Sequence, residues 1–266
     1  MKKILLPLIL VFLNFSYAQD VVTEAQILNS AGKQRLLSQI VARGRVCVTL
    51  NISKDVSTKE INASKIMFED NLKAIKDYAA NTLVKEKVDH LEQKWNSYKL
   101  YLDGNDLIGM KKVISLNTEV LLAADDVVEE LKNSIILKNY RTESTTDDAI
   151  ASSVVNSGRL RYLSQRLALY YIYSYENKEV NVNAEIRETF SYFDQSIKAL
   201  LTSDVNTADI DVLISKLFTE WTQLKTQNKT SKISPLEMLK KCDNILTLAD
   251  KITNIYVSME MYKTLK

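Results

Sequence analysis

Six of the chain's eight arginines fall in two short stretches: Arg35, Arg43 and Arg45 in one, Arg159, Arg161 and Arg166 in the other. Lysines, by contrast, are spread along the whole sequence. Solvation requires no such clustering, whereas a guanidinium offers a planar fork of donors that suits carboxylates and oxyanions. In each stretch a glycine stands three residues before an arginine, Gly32 before Arg35 and Gly158 before Arg161. A glycine inside a helix costs about 1 kcal/mol against alanine, and its use is to let a second backbone or a ligand come close. Two such arginines brought face to face would repel each other unless an anion lay between them. The competing use is an ion pair between Arg35 or Arg161 and an Asp or Glu of a neighbouring helix, and spacing alone leaves both open.

Other reactive residue types are sparse. His90 is the only histidine, and the equivalent position of the second stretch is Lys216. Glu86 lies one turn before His90, but a di-iron bundle needs several Glu and paired Glu-x-x-His motifs, which this sequence lacks. No convergent acid, base and nucleophile can be assembled, so neither enzyme activity, nor a metal, nor a cofactor is expected. Tyr170, Tyr171, Tyr173 and Tyr175 are read as filling a helix bundle and its rim rather than stacking on a ligand. Asp125-Asp126 and Glu129-Glu130 are read as a solvated face or as arginine partners. Cys47 and Cys242 are far apart in sequence and are read as buried thiols, with a disulfide as the alternative.

Only five Gly and two Pro occur in 266 residues, and so few helix breakers favour long helices. Apolar periodicity places four in the first half, Thr23–Asn51, Ser57–Asn81, Leu83–Leu102 and Leu107–Asn139. Four more follow, Asp147–Glu176, Ala184–Thr202, Ala208–Asn228 and Pro235–Leu265. Pro235 after Ser234 fits a cap followed by the first helical position. At about 100° per residue, Leu28, Gly32, Arg35, Gln39 and Val46 share one seam, with Leu37, Ile40, Val41 and Val48 opposite. Val154, Gly158, Arg161, Gln165 and Ile172 repeat that seam, with Leu163 and Leu167 opposite. Both sides of each arginine-bearing helix therefore look covered.

The two halves are copies. Gly32-Lys33-Gln34-Arg35-Leu36-Leu37-Ser38-Gln39 returns as Gly158-Arg159-Leu160-Arg161-Tyr162-Leu163-Ser164-Gln165, an offset of 126. The same offset pairs Trp95 with Trp221, and Val120, Leu122 and Ala123 with Leu246, Leu248 and Ala249. An offset of 125 pairs Phe68, Leu72, Lys73 and Ala74 with Phe193, Ile197, Lys198 and Ala199. Four matching regions in order make a tandem duplication, predicting an all-α chain of two up-down four-helix bundles. The expected division is a signal peptide at 1–18, a first domain at 19–140, a Ser-, Thr- and Asp-rich linker at 141–148 and a second domain at 149–266.

Lys2 and Lys3, the apolar run Ile4 to Phe15 and the small residues of Ser16-Tyr17-Ala18 resemble an export signal, with a mature start at Gln19. That run of about 12 residues is short for a membrane span, and no second segment is long enough. A periplasmic or secreted protein is expected. Without the two lysines the formal charge of +2 falls to balance, against a nucleic-acid partner.

The segment Asn29-Ser30-Ala31-Gly32-Lys33-Gln34-Arg35-Leu36-Leu37-Ser38-Gln39 resembles the opening motif of the PilJ/NarX-type sensor domain, the periplasmic input module of bacterial nitrate/nitrite sensor kinases and type IV pilus chemoreceptors. Asn156-Ser157-Gly158-Arg159-Leu160-Arg161-Tyr162-Leu163-Ser164-Gln165-Arg166 resembles it equally well, and the two copies cover nearly all of the mature chain. The resemblance implies a four-helix bundle that pairs through its first helix, where one arginine from each side holds a nitrate. Carried over by position it marks Arg35 and Arg161, with Gly32, Gly158, Ser38, Ser164, Gln39 and Gln165 around them. The eight-residue linker, reaching roughly 26 Å at most, would bring the second motif helix alongside the first as an internal pseudo-dimer. With no membrane helix or signalling domain in the sequence, the chain is expected to bind, buffer or present a small oxyanion such as nitrate or nitrite. The alternative is a periplasmic interaction scaffold, docking a membrane receptor or self-associating through the motif seam.

Overall fold

A computed structural model describes residues 22–80, 82–142, 144–176, 181–230 and 233–264. The export signal expected at 1–18 lies outside them. The described residues form eight α-helices and no strand: α1 Glu24–Thr49, α2 Lys54–Ala79, α3 Val84–Tyr98, α4 Leu107–Thr142, α5 Thr145–Glu176, α6 Asn183–Leu201, α7 Ala208–Thr230 and α8 Pro235–Thr264, with one 3-10 turn at Lys99–Tyr101. None of the described helices is long and apolar enough to cross a membrane.

Local chemistry explains where the helices start and stop. Thr23 caps α1, its hydroxyl accepting from the Gln26 N–H while the Gln26 side chain accepts from the Thr23 N–H, the reciprocal arrangement of a capping box. Ser234 caps α8 by accepting from the Glu237 N–H at 3.2 Å, with Pro235 at the first helical position as the sequence predicts. The α1–α2 turn runs through Asn51 and Ser53, both at positive φ.

One boundary differs from expectation. The segment 141–148 was expected as a linker, yet helix covers 141–142 and 145–148. Its Ser and Asp residues are caps: the Ser144 N–H donates to the Asn139 carbonyl at 3.1 Å, the Ser144 hydroxyl donates to Asp147, and Asn139 Nδ2 donates to Asp148 at 3.0 Å. Caps and linkers draw on the same residue types, so composition alone does not separate them.

Packing centres on α1 and α5. In the first half α1 lies against α2 and α4, and α3 against α2 and α4; in the second, α5 lies against α6 and α8, and α7 against α6 and α8. The two halves meet mainly through α1 and α5, with smaller α4–α5 and α1–α8 contacts. Burial on several sides explains why α1 is weakly amphipathic while α2 and α3 show a clear apolar face. Gly44 lets α2 come close: a Cβ there would stand 2.8 Å from Ile61 Cγ1.

Residues that the sequence repeat pairs make matching core contacts. Trp95 stacks on Phe68 with ring centroids 3.8 Å apart, and Trp221 on Phe193 at 3.7 Å. Each indole N–H donates to a carboxylate, Glu69 or Asp194, that also takes a lysine, Lys99 or Lys225. The fourth helices need a corrected alignment. The 126 offset proposed for Val120, Leu122 and Ala123 sets exposed Leu122 against Leu248, which packs against the core. An offset of 125 sets buried residue against buried residue at four core positions: Val113 with Met238, Val120 with Ile245, Ala124 with Ala249, Val127 with Ile252.

Candidate functional site

The two motif helices run side by side in the same direction. Asn29 meets Arg161 near one end of the contact, and Arg43 meets Gln165 farther along. Between these points Gly32 and Gly158 bring the two predicted arginines together. Both Nη2 atoms lie 3.4 Å from where a Cβ on Gly158 would stand; at Gly32 the distances are 3.5 Å for Arg161 and 3.7 Å for Arg35.

Both guanidiniums are completely buried, and each is held from outside by one aspartate. Arg35 Nη1 donates to Asp125 at 2.7 Å, and Arg161 Nη1 to Asp250 at 3.0 Å. The aspartate side chains are 33% and 45% exposed, so water screens the negative charges while the positive ones face each other in the interior. Burial lowers the Arg161 pKa; Asp250 opposes the shift, and Arg35 adds to it. The ion-pair use of these arginines is therefore realised, and like-charge crowding is present with it.

The remaining donors are unevenly served. Arg161 Nη2 reaches Asn29 Oδ1 at 2.7 Å, whereas Val155 occupies the equivalent position of the second copy. Arg35 Nε, Arg35 Nη2 and Arg161 Nε are buried without a hydrogen-bond partner among the described residues. Each such donor costs about 1–3 kcal/mol. The Arg35 guanidinium also lies over the Tyr162 ring, 5.2 Å from its centroid. Chemically, this is a convergent set of buried N–H groups on two positive charges, suited to an oxygen-rich anion.

The serines and glutamines of the motif surround the pair but face away from it. Ser38 and Ser164 donate to the carbonyls of Arg35 and Arg161 at 2.8 and 2.7 Å. Gln39 and Gln165 donate to those serine hydroxyls. Gln165 Oε1 accepts from Arg43, a residue that also bonds Asp243 and Glu60, each at 2.7 Å. Burial disfavours the charged form of Arg43, but the two carboxylates outweigh it and leave its pKa raised. Gln39 has no such donor on the other side, because Leu169 stands where Arg43 does, and its Oε1 is without a partner among the described residues.

Asp125, read as a solvated face or an arginine partner, is the latter; neighbouring Asp126 stays exposed beside Lys87. Sequence reasoning missed Asp250 and Asn29. The signal for Asp250 was present: at the 125 offset it aligns with Asp125, and at 126 it falls opposite Ala124. His90 is exposed on α3. Cys47 and Cys242 are free and buried, and burial pushes their thiols up to about 11 and about 12. Tyr170 and Tyr173 are buried, and the Tyr171 hydroxyl donates to the Ile233 carbonyl at 2.6 Å. Comparisons with protein-family models, curated proteins and solved structures gave no match.

Proposed function

We propose that the chain is an exported, non-catalytic binding protein for a small oxyanion, nitrate or nitrite first, held between Arg35 and Arg161. Two tandem four-helix bundles pair through α1 and α5 as a pseudo-dimer, so that one chain supplies both halves of one site. The observation that carries this reading is the pair of buried guanidiniums facing each other with three N–H groups unpartnered. An anion placed there would accept from those donors and offset the mutual repulsion. Gly32 and Gly158 keep side chains out of the space; the serines and glutamines act by holding the arginine-bearing turns in place. The resemblance of both motif segments to the nitrate-sensor domain agrees with this chemistry.

The scaffold alternative loses ground for a structural reason. The seam that would dock a receptor or a second copy is already buried between α1 and α5.

Calorimetry with nitrate, nitrite and sulfate tests the proposal. Saturable binding is expected at one anion per chain, weakened about 30-fold or more by Arg35→Ala and by Arg161→Ala, with monomer mass unchanged. Silence with all three anions alongside concentration-dependent self-association would replace it with the scaffold reading.

A further inference from the structure

Arg166 stands apart from the other five motif-helix arginines. Those five each contact a carboxylate; Arg166 has none among the described residues. The residue is nonetheless only 6% exposed. A long hydrogen bond from Nη1 to Asn117 at 3.5 Å and a place over the Tyr170 ring, 4.8 Å from its centroid, are its polar contacts. A buried cation with so little compensation is costly.

Arg166 forms part of the wall of a cavity of about 570 Å³ between α4, α5 and α6. That volume lies within the roughly 300–1,000 Å³ of small-molecule sites. Leu121, Leu163, Tyr162 and Tyr192 give the cavity apolar and aromatic walls. Glu188, also lining it, has no ion pair among the described residues, while Arg159 is already engaged by Glu129 at 2.7 Å. The chemistry belongs to the second copy alone: the first has Lys33, Leu36 and Ile40 where Arg159, Tyr162 and Arg166 stand.

We propose that this cavity is a second binding site, for a small organic carboxylate with an aromatic or apolar body. Arg166 takes the carboxylate through its planar fork, and the tyrosines and leucines cover the body. The site is separate from the oxyanion site and does not depend on it, although Tyr162 and Asp125 border both.

The test titrates phenylacetate, benzoate, 4-hydroxyphenylacetate and L-tyrosine into the full chain in nitrate-free buffer, followed by calorimetry and saturation-transfer NMR. Phenylacetamide serves as the uncharged isostere. At least one carboxylate should bind saturably at one per chain, with the amide weaker by about tenfold or more. Arg166→Gln should lose a similar factor while nitrate binding is retained. Leu122→Trp, which fills the cavity mouth from an exposed position, should lose it too and leaves every buried partner in place. Preference for L-tyrosine over 4-hydroxyphenylacetate would support the site and assign Glu188 to an ammonium group. Silence across all four acids at millimolar concentration overturns the proposal, as does equal affinity for the amide or in the folded Leu122→Trp variant.

Discussion

The motif helices α1 and α5 share an eight-residue pattern and the same buried Gly–Arg geometry, yet they treat their other arginines in opposite ways. On α1, Arg43 is held by two carboxylates and a glutamine, and Arg45 by Asp106 and the Tyr101 carbonyl. On α5 the equivalent positions are Leu169 and Tyr171, and the extra arginines move to 159 and 166, beside a cavity. Tyr171 reaches the α7–α8 connection with a neutral hydroxyl, where Arg45 reaches the α3–α4 connection with a charge. What both copies keep is a glycine, an arginine and an aspartate that pairs with it from α4 or α8. What they vary is structural cross-bracing on one side and an accessible wall on the other.

The largest expected effect separates Arg43 from Arg166. Arg43→Met leaves half-exposed Asp243 and Glu60 to water and strands the buried Gln165 oxygen, so it should cost about 1–3 kcal/mol in urea unfolding, whereas Arg166→Met leaves no carboxylate unpaired and should be close to neutral. Similar losses in both would erase the contrast between the helices.

Gly158→Ala comes next. A methyl group there makes only ordinary contact, with both Nη2 atoms at 3.4 Å, and helix propensity gains about 1 kcal/mol. Thermal stability should hold or rise while nitrate affinity falls about tenfold, because the methyl occupies the space between the guanidiniums. A stable variant with unchanged affinity would remove the glycines from the account.

Val155→Asn sharpens the comparison further by giving Arg35 the partner that Asn29 gives Arg161. Nitrate affinity should fall by roughly a factor of five, the worth of about one net hydrogen bond, and an unaltered titration would argue that Arg35 Nη2 does not bind the anion.

The smallest effect concerns acid. The Gly109 N–H, at 2.7 Å, and Arg45 hold the Asp106 carboxyl below its ordinary range. A lowered folded-state pKa contributes stability that is complete above the unfolded value, near 4, and fades as pH falls through the folded one. Asp106→Asn should flatten that part of the acid-unfolding curve; Tyr171→Phe, at the α5 position equivalent to Arg45, should not alter it.

Much of this was legible in the sequence. Scarce glycine and proline, apolar periodicity and paired motifs marked eight helices, because helical spacing and repeats are local signals; the expectation that Arg35 faces Arg161 came from the family resemblance and the reach of the linker. Partners set by helix–helix packing were harder to read. Asp250 was hidden by a one-residue slip in the fourth-helix alignment, which burial of Val127 and Ile252 corrects. Asn29 acts across the seam on the other copy's arginine, so no pattern within its own helix marks it. Arg166 looks like any charged helix residue until Asn117, Tyr170 and the cavity are in place around it.

The most direct measurement follows the Nε–H resonances of ¹⁵N-arginine-labelled chain during a nitrate titration. Those of Arg35 and Arg161, assigned through their alanine variants, should move together and saturate at one nitrate per chain. If both stay fixed while only the exposed arginine Arg187 responds, no anion sits between the two helices and the binding account fails.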